Sequence, residues 1–355
     1  MNNVTIDGIC IEVSDGTTIL QAAARAGIRV PTLCHMKGRA AIGSCRVCVV
    51  DVKGVDHPLP ACSTVVHDGM AVVTESRRLT GYRRIALELI VSGLEAEAAD
   101  DLFAASRGDE SELKLLCDEY DVSKPAVAST RERYAVLDAN PFLSFDPNLC
   151  IACQRCVGAC NQAARNHTLQ THKRGLRTAI EAPFGSGWNS SDCESCGTCA
   201  QACPTGALKG KRRASYYADD TARALTTCPH CGVGCQLELV VEDGTIVDAV
   251  GALGPSNKSL LCVKGRSASF DFVDAPDRIR TPLVKNPATG GFEAATWDEA
   301  LDLVASRFTD LIERGGGESI AAFACSRSTN EDVYLFQKMA RTALRTNNID
   351  NCARV

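Results

Sequence analysis

Apolar positions along this chain recur at short intervals, and the pattern predicts small strands and helices rather than long buried runs. VTID and GICIEVS near the N-terminus read as the two strands of a hairpin, and Thr17–Ala26 as a short helix that stops at Gly27 with Pro31 beyond it. Tyr82–Val91 and Glu112–Tyr120 have helical spacing, whereas Ser123–Asn140, with Pro125 and Pro141 at its edges, reads as a linker. Leu237–Val241 and Ile246–Val250 flank Asp243-Gly244, the signature of a second hairpin. Thr296-x-x-Glu299 is a capping box opening an amphipathic helix whose apolar stripe is Leu301, Val304, Phe308, Leu311 and Ile312, closed by Gly315–Gly317. Ser319–Cys325 is an apolar strand, Glu331–Arg345 a second helix, and Asn348–Val355 begins another strand, an alternation that predicts a parallel sheet. No apolar run reaches ~18 residues, so no membrane span is expected.

Composition changes the picture through one residue type. Twenty of the 355 residues are cysteine, and sixteen of them fall into four quartets, leaving Cys10, Cys117, Cys325 and Cys352 unassigned. The N-terminus MNNVTIDG has no basic region, apolar core or twin arginine of an export signal, so the cysteines are expected reduced and the protein cytoplasmic. Reduced, clustered thiols bind metal. The net charge of -5 argues against nucleic acid as a partner. The basic group Lys209, Lys211, Arg212 and Arg213 lacks a stacking pattern beyond Tyr216 and Tyr217, and reads as a solvated linker.

The spacings specify the chemistry. Cys34-x10-Cys45-x2-Cys48-x13-Cys62 resembles plant-type [2Fe-2S] ferredoxins except for its longer first gap, and Gly43 and Ser44 would let backbone amides approach the sulfurs. A zinc knuckle is the alternative there. Cys150-x2-Cys153-x2-Cys156-x3-Cys160 and Cys193-x2-Cys196-x2-Cys199-x3-Cys203-Pro204 repeat the bacterial ferredoxin pattern, whose fourth cysteine serves the other cluster. The expected [4Fe-4S] ligand sets are therefore Cys150, Cys153, Cys156 with Cys203, and Cys193, Cys196, Cys199 with Cys160. Cys228-x2-Cys231-x3-Cys235-x26-Cys262 crowds three thiols into eight residues and returns a fourth after the second hairpin, which suits another [4Fe-4S] cluster better than zinc. His35, His57, His67, His167 and His172 read as loop or surface residues, since the cysteines suffice.

CPHCGVGC, LCVKGR, RIRTPL and TWDEAL resemble the N-terminal cluster domain of the molybdopterin-dependent oxidoreductases, formate dehydrogenase catalytic subunits above all. The resemblance implies an α+β multidomain protein. Its segments would be a β-grasp [2Fe-2S] ferredoxin domain at 1–78, a helical segment and linker at 79–140, a 2[4Fe-4S] ferredoxin-like domain at 141–215, a small β-rich [4Fe-4S] domain at 222–276, and the start of an α/β molybdopterin domain at 277–355. It also implies that Lys264, two residues past Cys262, stands between cluster and pterin as an electron relay. Further implied are a molybdenum- or tungsten-bis(molybdopterin guanine dinucleotide), formate as substrate, and a flavin-containing, NAD(P)-reducing iron–sulfur subunit as partner. Relatives usually carry a His-x3-Cys-x2-Cys-x5-Cys motif after the Tyr82–Val91 helix; here only Cys117 remains, so no cluster is expected in 79–140.

TNNIDNCARV resembles the segment preceding the active-site selenocysteine or cysteine of formate dehydrogenases, so the expectation is a chain cut short just before a selenocysteine, and 1–355 alone is expected to be inactive on formate. Two other functions remain open: a stand-alone iron–sulfur electron-transfer protein, or the large subunit of an NADH:quinone oxidoreductase.

Overall fold

The computed structural model describes residues 1–36, 38–104, 111–138, 140–182, 190–211, 221–267 and 270–352. The chain forms two compact units, Met1–Arg223 with Val240–Asp248 and Leu260–Ser267, and Ala224–Leu239 with Ala249–Ser259 and Ala268–Val355.

The first unit begins with the expected hairpin, β1 (Asn2–Ile6) and β2 (Ile9–Val13), paired antiparallel across Asp7-Gly8. Thr18 caps α1 (Ile19–Arg25) through a reciprocal box with Gln21, and Gly27 follows in the left-handed region at φ 74°. Strands β3 (Val49–Val52), β4 (Leu59–Pro60) and β5 (Ala71–Val73) complete a five-stranded sheet in the order β2-β1-β5-β3-β4. Val4, Ile6, Ile19, Val50 and Val72 bury one face of it against α1, the alternation a half-buried strand requires.

Three helices follow: α2 (Arg77–Ser92), α3 (Ala96–Ala104) and α4 (Glu112–Glu119). Their apolar faces make a second core, in which Leu87, Val91, Leu102, Leu113 and Leu116 meet Leu33 and Val47 from the loops around the first cysteine quartet, with Cys45 and Ile151 packed at its edge. The helices thus hold the first two cysteine regions in one body. Arg83 is fully buried where α2 meets the sheet, donating to the Val49 carbonyl at 2.9 Å, the Thr74 carbonyl at 2.6 Å and the Glu75 carboxylate at 2.5 Å. Cys117 lies inside this core, and burial pushes its thiol up to about 12. A helical apolar core therefore surrounds Cys117.

Leu143–Phe145 pairs antiparallel with Leu208–Gly210, bracketing the two cysteine repeats, and Gln170–His172 pairs with Ala179–Glu181 between them. His167 and His172 are exposed. Lys211 pairs with Asp138 at 3.3 Å, while Arg212, Arg213, Tyr216 and Tyr217 lie outside the described residues.

In the second unit the capping box forms as expected at Thr296 and Glu299, opening the helix Trp297–Gly315. Ala322–Ala324 and Ile349–Asn351 pair parallel on either side of the helix Asn330–Thr342. The strands are shorter than their apolar runs, and Leu301, Val304 and Leu311 are exposed, because the two-stranded sheet does not cover that helix face. Residues 353–355 lie outside the described residues. The second hairpin, with Gln236–Glu242 and Thr245–Gly251 as its strands, has its turn in the Val240–Asp248 segment of the first unit, at Asp243 and Gly244, both at positive φ as a primed turn demands. No helix among the described residues is long and apolar enough to cross a membrane.

Candidate metal centres

The first quartet is two close pairs. Cys34 accepts a hydrogen bond from the Cys45 thiol, which holds it down at about 5 and pushes Cys45 up; Ser44 adds its amide and hydroxyl to the Cys34 sulfur. Cys62 likewise accepts from Cys48 and is held at about 7, with Cys48 raised. Cys34, Cys48 and Cys62 are buried. Gly43 sits at φ 69°, so the chain before Ser44 turns as few other residues allow. Two thiol pairs, each close enough to share one proton, match the two irons of a [2Fe-2S] cluster, each of which takes two cysteines.

The two repeats interleave. The Cys156 thiol is raised by burial and then by the neighbouring sulfurs of Cys150, Cys153, Cys199 and Cys203. Cys153 is pushed up to about 12 by burial, with Cys203 and Cys150 beside it. Cys150, Cys153, Cys156 and Cys203 line one cavity with Phe145, Ile151, Ile180 and Leu208. In the other set, Cys199 is raised by burial and by Cys196, Cys193 and Cys160, and Cys193 by burial, Cys196 and Cys160. Cys203 therefore stands with the first three cysteines and Cys160 with the second three.

The backbone repeats this symmetry. Ala152 and Ser195 both have φ 52°, and Gln154 and Gly197, each directly after a second cysteine, have φ 61° and 72°. Left-handed residues turn amide N–H groups inward: Ala152 donates to Cys150 Sγ at 3.4 Å, and Ser195 bonds Cys193. Leu208 donates to Cys203 Sγ at 3.4 Å. Such donors stabilise thiolates and tune the potentials of clusters they hold. The donor sets fit iron–sulfur clusters: thiols in fours, lined by apolar side chains, with amides aimed at sulfur. Among the described residues no group of three or more His, Cys, Asp or Glu is placed to hold a single metal ion.

Two arginines that spacing alone did not single out complete the first unit. Arg155 spans from the Cys153 turn to the Leu33 carbonyl at 3.2 Å, the residue before Cys34, and pairs with Glu112 at 2.5 Å. Arg266 donates to the Cys196 carbonyl at 3.4 Å and to Gln201, and packs against Gly197. The only sequence signals for them were cationic residues placed two after Cys153 and two after Lys264.

Cys262 occupies the position just before the short helix Val263–Arg266 in the first unit and is exposed, and Lys264 follows within that helix. In the second unit Cys228 is buried, Cys235 half-buried and Cys231 exposed, and the Cys228 amide donates to the Cys235 carbonyl at 2.8 Å. His230 between them stacks near Phe270 and Phe272, at centroid distances of 5.7 and 6.0 Å. Gly232 lies so close to the Ser326 carbonyl that a Cβ would sit 2.7 Å from it.

Four family descriptions match the sequence in turn: a 2Fe-2S iron-sulfur cluster binding domain over residues 1–77, a 4Fe-4S dicluster domain over 149–207, a molybdopterin oxidoreductase Fe4S4 domain over 221–272, and a molybdopterin oxidoreductase domain over 278–355. Along all of its length the chain is 35% identical to the NADPH-Fe(3+) oxidoreductase subunit alpha of Geobacter sulfurreducens and 34% identical to an NADH-quinone oxidoreductase subunit of Rhizobium meliloti. Over 99% of the chain it is 29% identical to a Staphylococcus aureus protein named "Putative formate dehydrogenase", of which it covers 39%. The chain spans 40% of the length of the first two relatives. A chain of a solved NAD+-reducing [NiFe]-hydrogenase is similar over 59% of this chain and 87% of its own length, with 30% identity and a TM-score of 0.52.

Proposed function

We propose that this chain, which belongs to the molybdopterin oxidoreductase family and carries iron–sulfur domains ahead of the molybdopterin segment, is the electron-conducting part of a cytoplasmic, NAD(P)-linked formate dehydrogenase. Cys34, Cys45, Cys48 and Cys62 would hold a [2Fe-2S] cluster. Cys150, Cys153, Cys156 and Cys203, then Cys193, Cys196, Cys199 and Cys160, then Cys228, Cys231, Cys235 and Cys262 would each hold a [4Fe-4S] cluster. When bound, such clusters accept and release single electrons at potentials set by their surroundings. The protein's own contribution is to desolvate the thiols, aim amides at them, and tie neighbouring sites together through Arg155 and Arg266. Lys264 is assigned as the relay beside Cys262, facing a molybdenum- or tungsten-pterin centre.

The observation that carries the reading is the interleaving of the two repeats, with the paired thiols of Cys34/Cys45 and Cys48/Cys62 in the same body. Several one-electron sites in one unit suit conduction rather than chemistry at a single site. The formate assignment rests on the motifs around Cys228–Arg266 and on the name of the Staphylococcus relative. The hydrogenase and Geobacter relatives, by their names, support a nicotinamide-linked partner, for which a flavin subunit is the natural electron splitter.

A second reading, a subunit of an NADH-quinone oxidoreductase, is favoured by the Rhizobium relative. One experiment separates them. The native full-length protein, which includes the residues that follow 355, is isolated anaerobically with its partners and mixed with formate, NADH or NADPH, and cluster reduction is followed by electron paramagnetic resonance. Reduction by formate is expected; reduction by a nicotinamide and not by formate would overturn the formate assignment and favour the second reading.

A further inference from the structure

Two cysteines outside all four quartets meet in the second unit. Ala322–Ala324 and Ile349–Asn351 pair parallel, with Ala324 opposite Asn351. The ladder runs one step further, the Cys352 amide donating to the Ala324 carbonyl at 3.3 Å, so Cys325 and Cys352 end adjacent strands side by side. Adjacent strands lie about 4.8 Å apart, inside the Cα separation of roughly 4.4–6.8 Å that a disulfide spans. The Cys325 side chain is among the groups that lower the Cys352 thiol.

Both are exposed, Cys325 on an open cavity of about 530 Å³ that Ser326, Ser328, Tyr334 and the Cys231–Val233 loop also line. Donors are aimed at each sulfur. The Ser326 amide reaches Cys352 Sγ at 3.4 Å with its hydroxyl at 3.6 Å, and the Arg327 amide reaches Cys325 Sγ at 3.5 Å. The bonds from Ser326 hold the Cys352 thiol below its ordinary range. An exposed thiol with donors aimed at its sulfur and a second thiol in reach has the features of an attacking cysteine and its resolving partner.

We propose that Cys325 and Cys352 form a redox-active dithiol, separate from the cluster ligands, whose co-reactant is a low-molecular-weight disulfide. The Cys352 thiolate attacks one sulfur of the disulfide, forming a mixed disulfide and releasing one thiolate. Cys325, its proton lost to water, attacks the Cys352 sulfur, closing the Cys325–Cys352 bond and releasing the second thiolate. The dithiol loses two electrons and two protons, and the small disulfide becomes two thiols. The new bond ties together the ends of the two strands beside the Cys231 loop, against which Ser326 packs through Gly232.

The test uses the anaerobically purified, cluster-loaded protein and oxidised glutathione, followed by acid quenching, alkylation of remaining thiols, trypsin digestion and mass spectrometry. Cleavage after Arg314, Arg327, Arg345 and Arg354 isolates each cysteine, in peptides 315–327 and 346–354. Recovery of the two as one linked species, lighter than their sum by two hydrogens and with the iron content unchanged, is the expected result. In Cys325→Ser, which keeps a polar side chain of similar shape on the exposed edge, Cys352 should stop at the glutathione adduct. Recovery of both peptides alkylated, separate adducts on both cysteines in the parent protein, or an unmodified Cys352 in the variant would each overturn the proposal. So would a parallel loss of cluster absorbance, which would place the oxidised thiols among the cluster ligands.

Discussion

Gly197 is where backbone conformation and a buried cation meet beside a cysteine repeat, and Gly197→Ala tests how the second repeat is held. The residue sits at φ 72°, and an added Cβ would lie 2.3 Å from Cδ and 2.7 Å from Nε of Arg266. The left-handed conformation costs a non-glycine residue about 1–2 kcal/mol. Relieving the overlap means moving the guanidinium off the Cys196 carbonyl and Gln201, and hydrogen bonds to a charged group contribute about 1.5–3 kcal/mol. The total is roughly 2.5–5 kcal/mol, about two to four decades in a local opening equilibrium. Hydrogen exchange of the Gln201 and Cys203 amides, bonded to Gly197 and Ala200, reads that opening directly. The decisive comparison is a double-mutant cycle with Arg266→Ala. Without the arginine the overlap disappears, and Gly197→Ala should cost only the conformational part, leaving a coupling of about 1.5–3 kcal/mol. Additive effects, or a single-mutant cost below about 1 kcal/mol, would refute the packing of Arg266 on this turn.

Three further perturbations have definite expectations. Gln154 occupies in the first repeat the left-handed position that glycine fills in the second, so Gln154→Gly should slow exchange of the Gly158 amide by up to about tenfold, and faster exchange would show that the side chain is needed there. Cys117→Ala should leave iron per chain unchanged while lowering the urea midpoint by the equivalent of about 1–2 kcal/mol, because Cys117 is core packing and not a ligand; a fall in iron would contradict this. Arg29 pairs with Glu119 at 2.8 Å and holds its carboxyl below the usual range. The contribution is present above the unfolded carboxylate pKa and disappears as pH falls through the lower folded value. Since the pair is 68% and 37% exposed, it amounts to under about 1 kcal/mol. Urea midpoints between pH 3 and 7 should therefore fall slightly more on acidification in the parent protein than in Glu119→Gln, and identical profiles would show that the pair contributes nothing.

Local signals gave the first hairpin, the α1 helix, the capping box at Thr296 and the turn at Asp243-Gly244, because each is decided by a few neighbouring residues. The crossed assignment of Cys160 and Cys203 comes from the bacterial ferredoxin pattern of the repeat, and the sulfurs found near Cys153 and Cys199 are compatible with it. Side chains acting across long separations were not legible. No spacing marks Arg83, Arg155 or Arg266, and only the folded chain shows them buried or spanning between cysteine turns. Nor did any spacing join Cys325 to Cys352, which meet because two parallel strands end in register. The apolar stripe at Leu301, Val304 and Leu311 predicted its helix correctly but not its exposure, as periodicity reports an element and not its neighbours.

Mössbauer spectroscopy of the chain, purified anaerobically and enriched in iron-57, tests the central claim most directly. One two-iron cluster and three four-iron clusters should give [2Fe-2S] and [4Fe-4S] components in an area ratio of roughly one to six. Cys203→Ser and Cys160→Ser should each diminish the four-iron component and spare the two-iron one. Zinc in place of iron, or an undiminished four-iron component in both variants, would contradict the account.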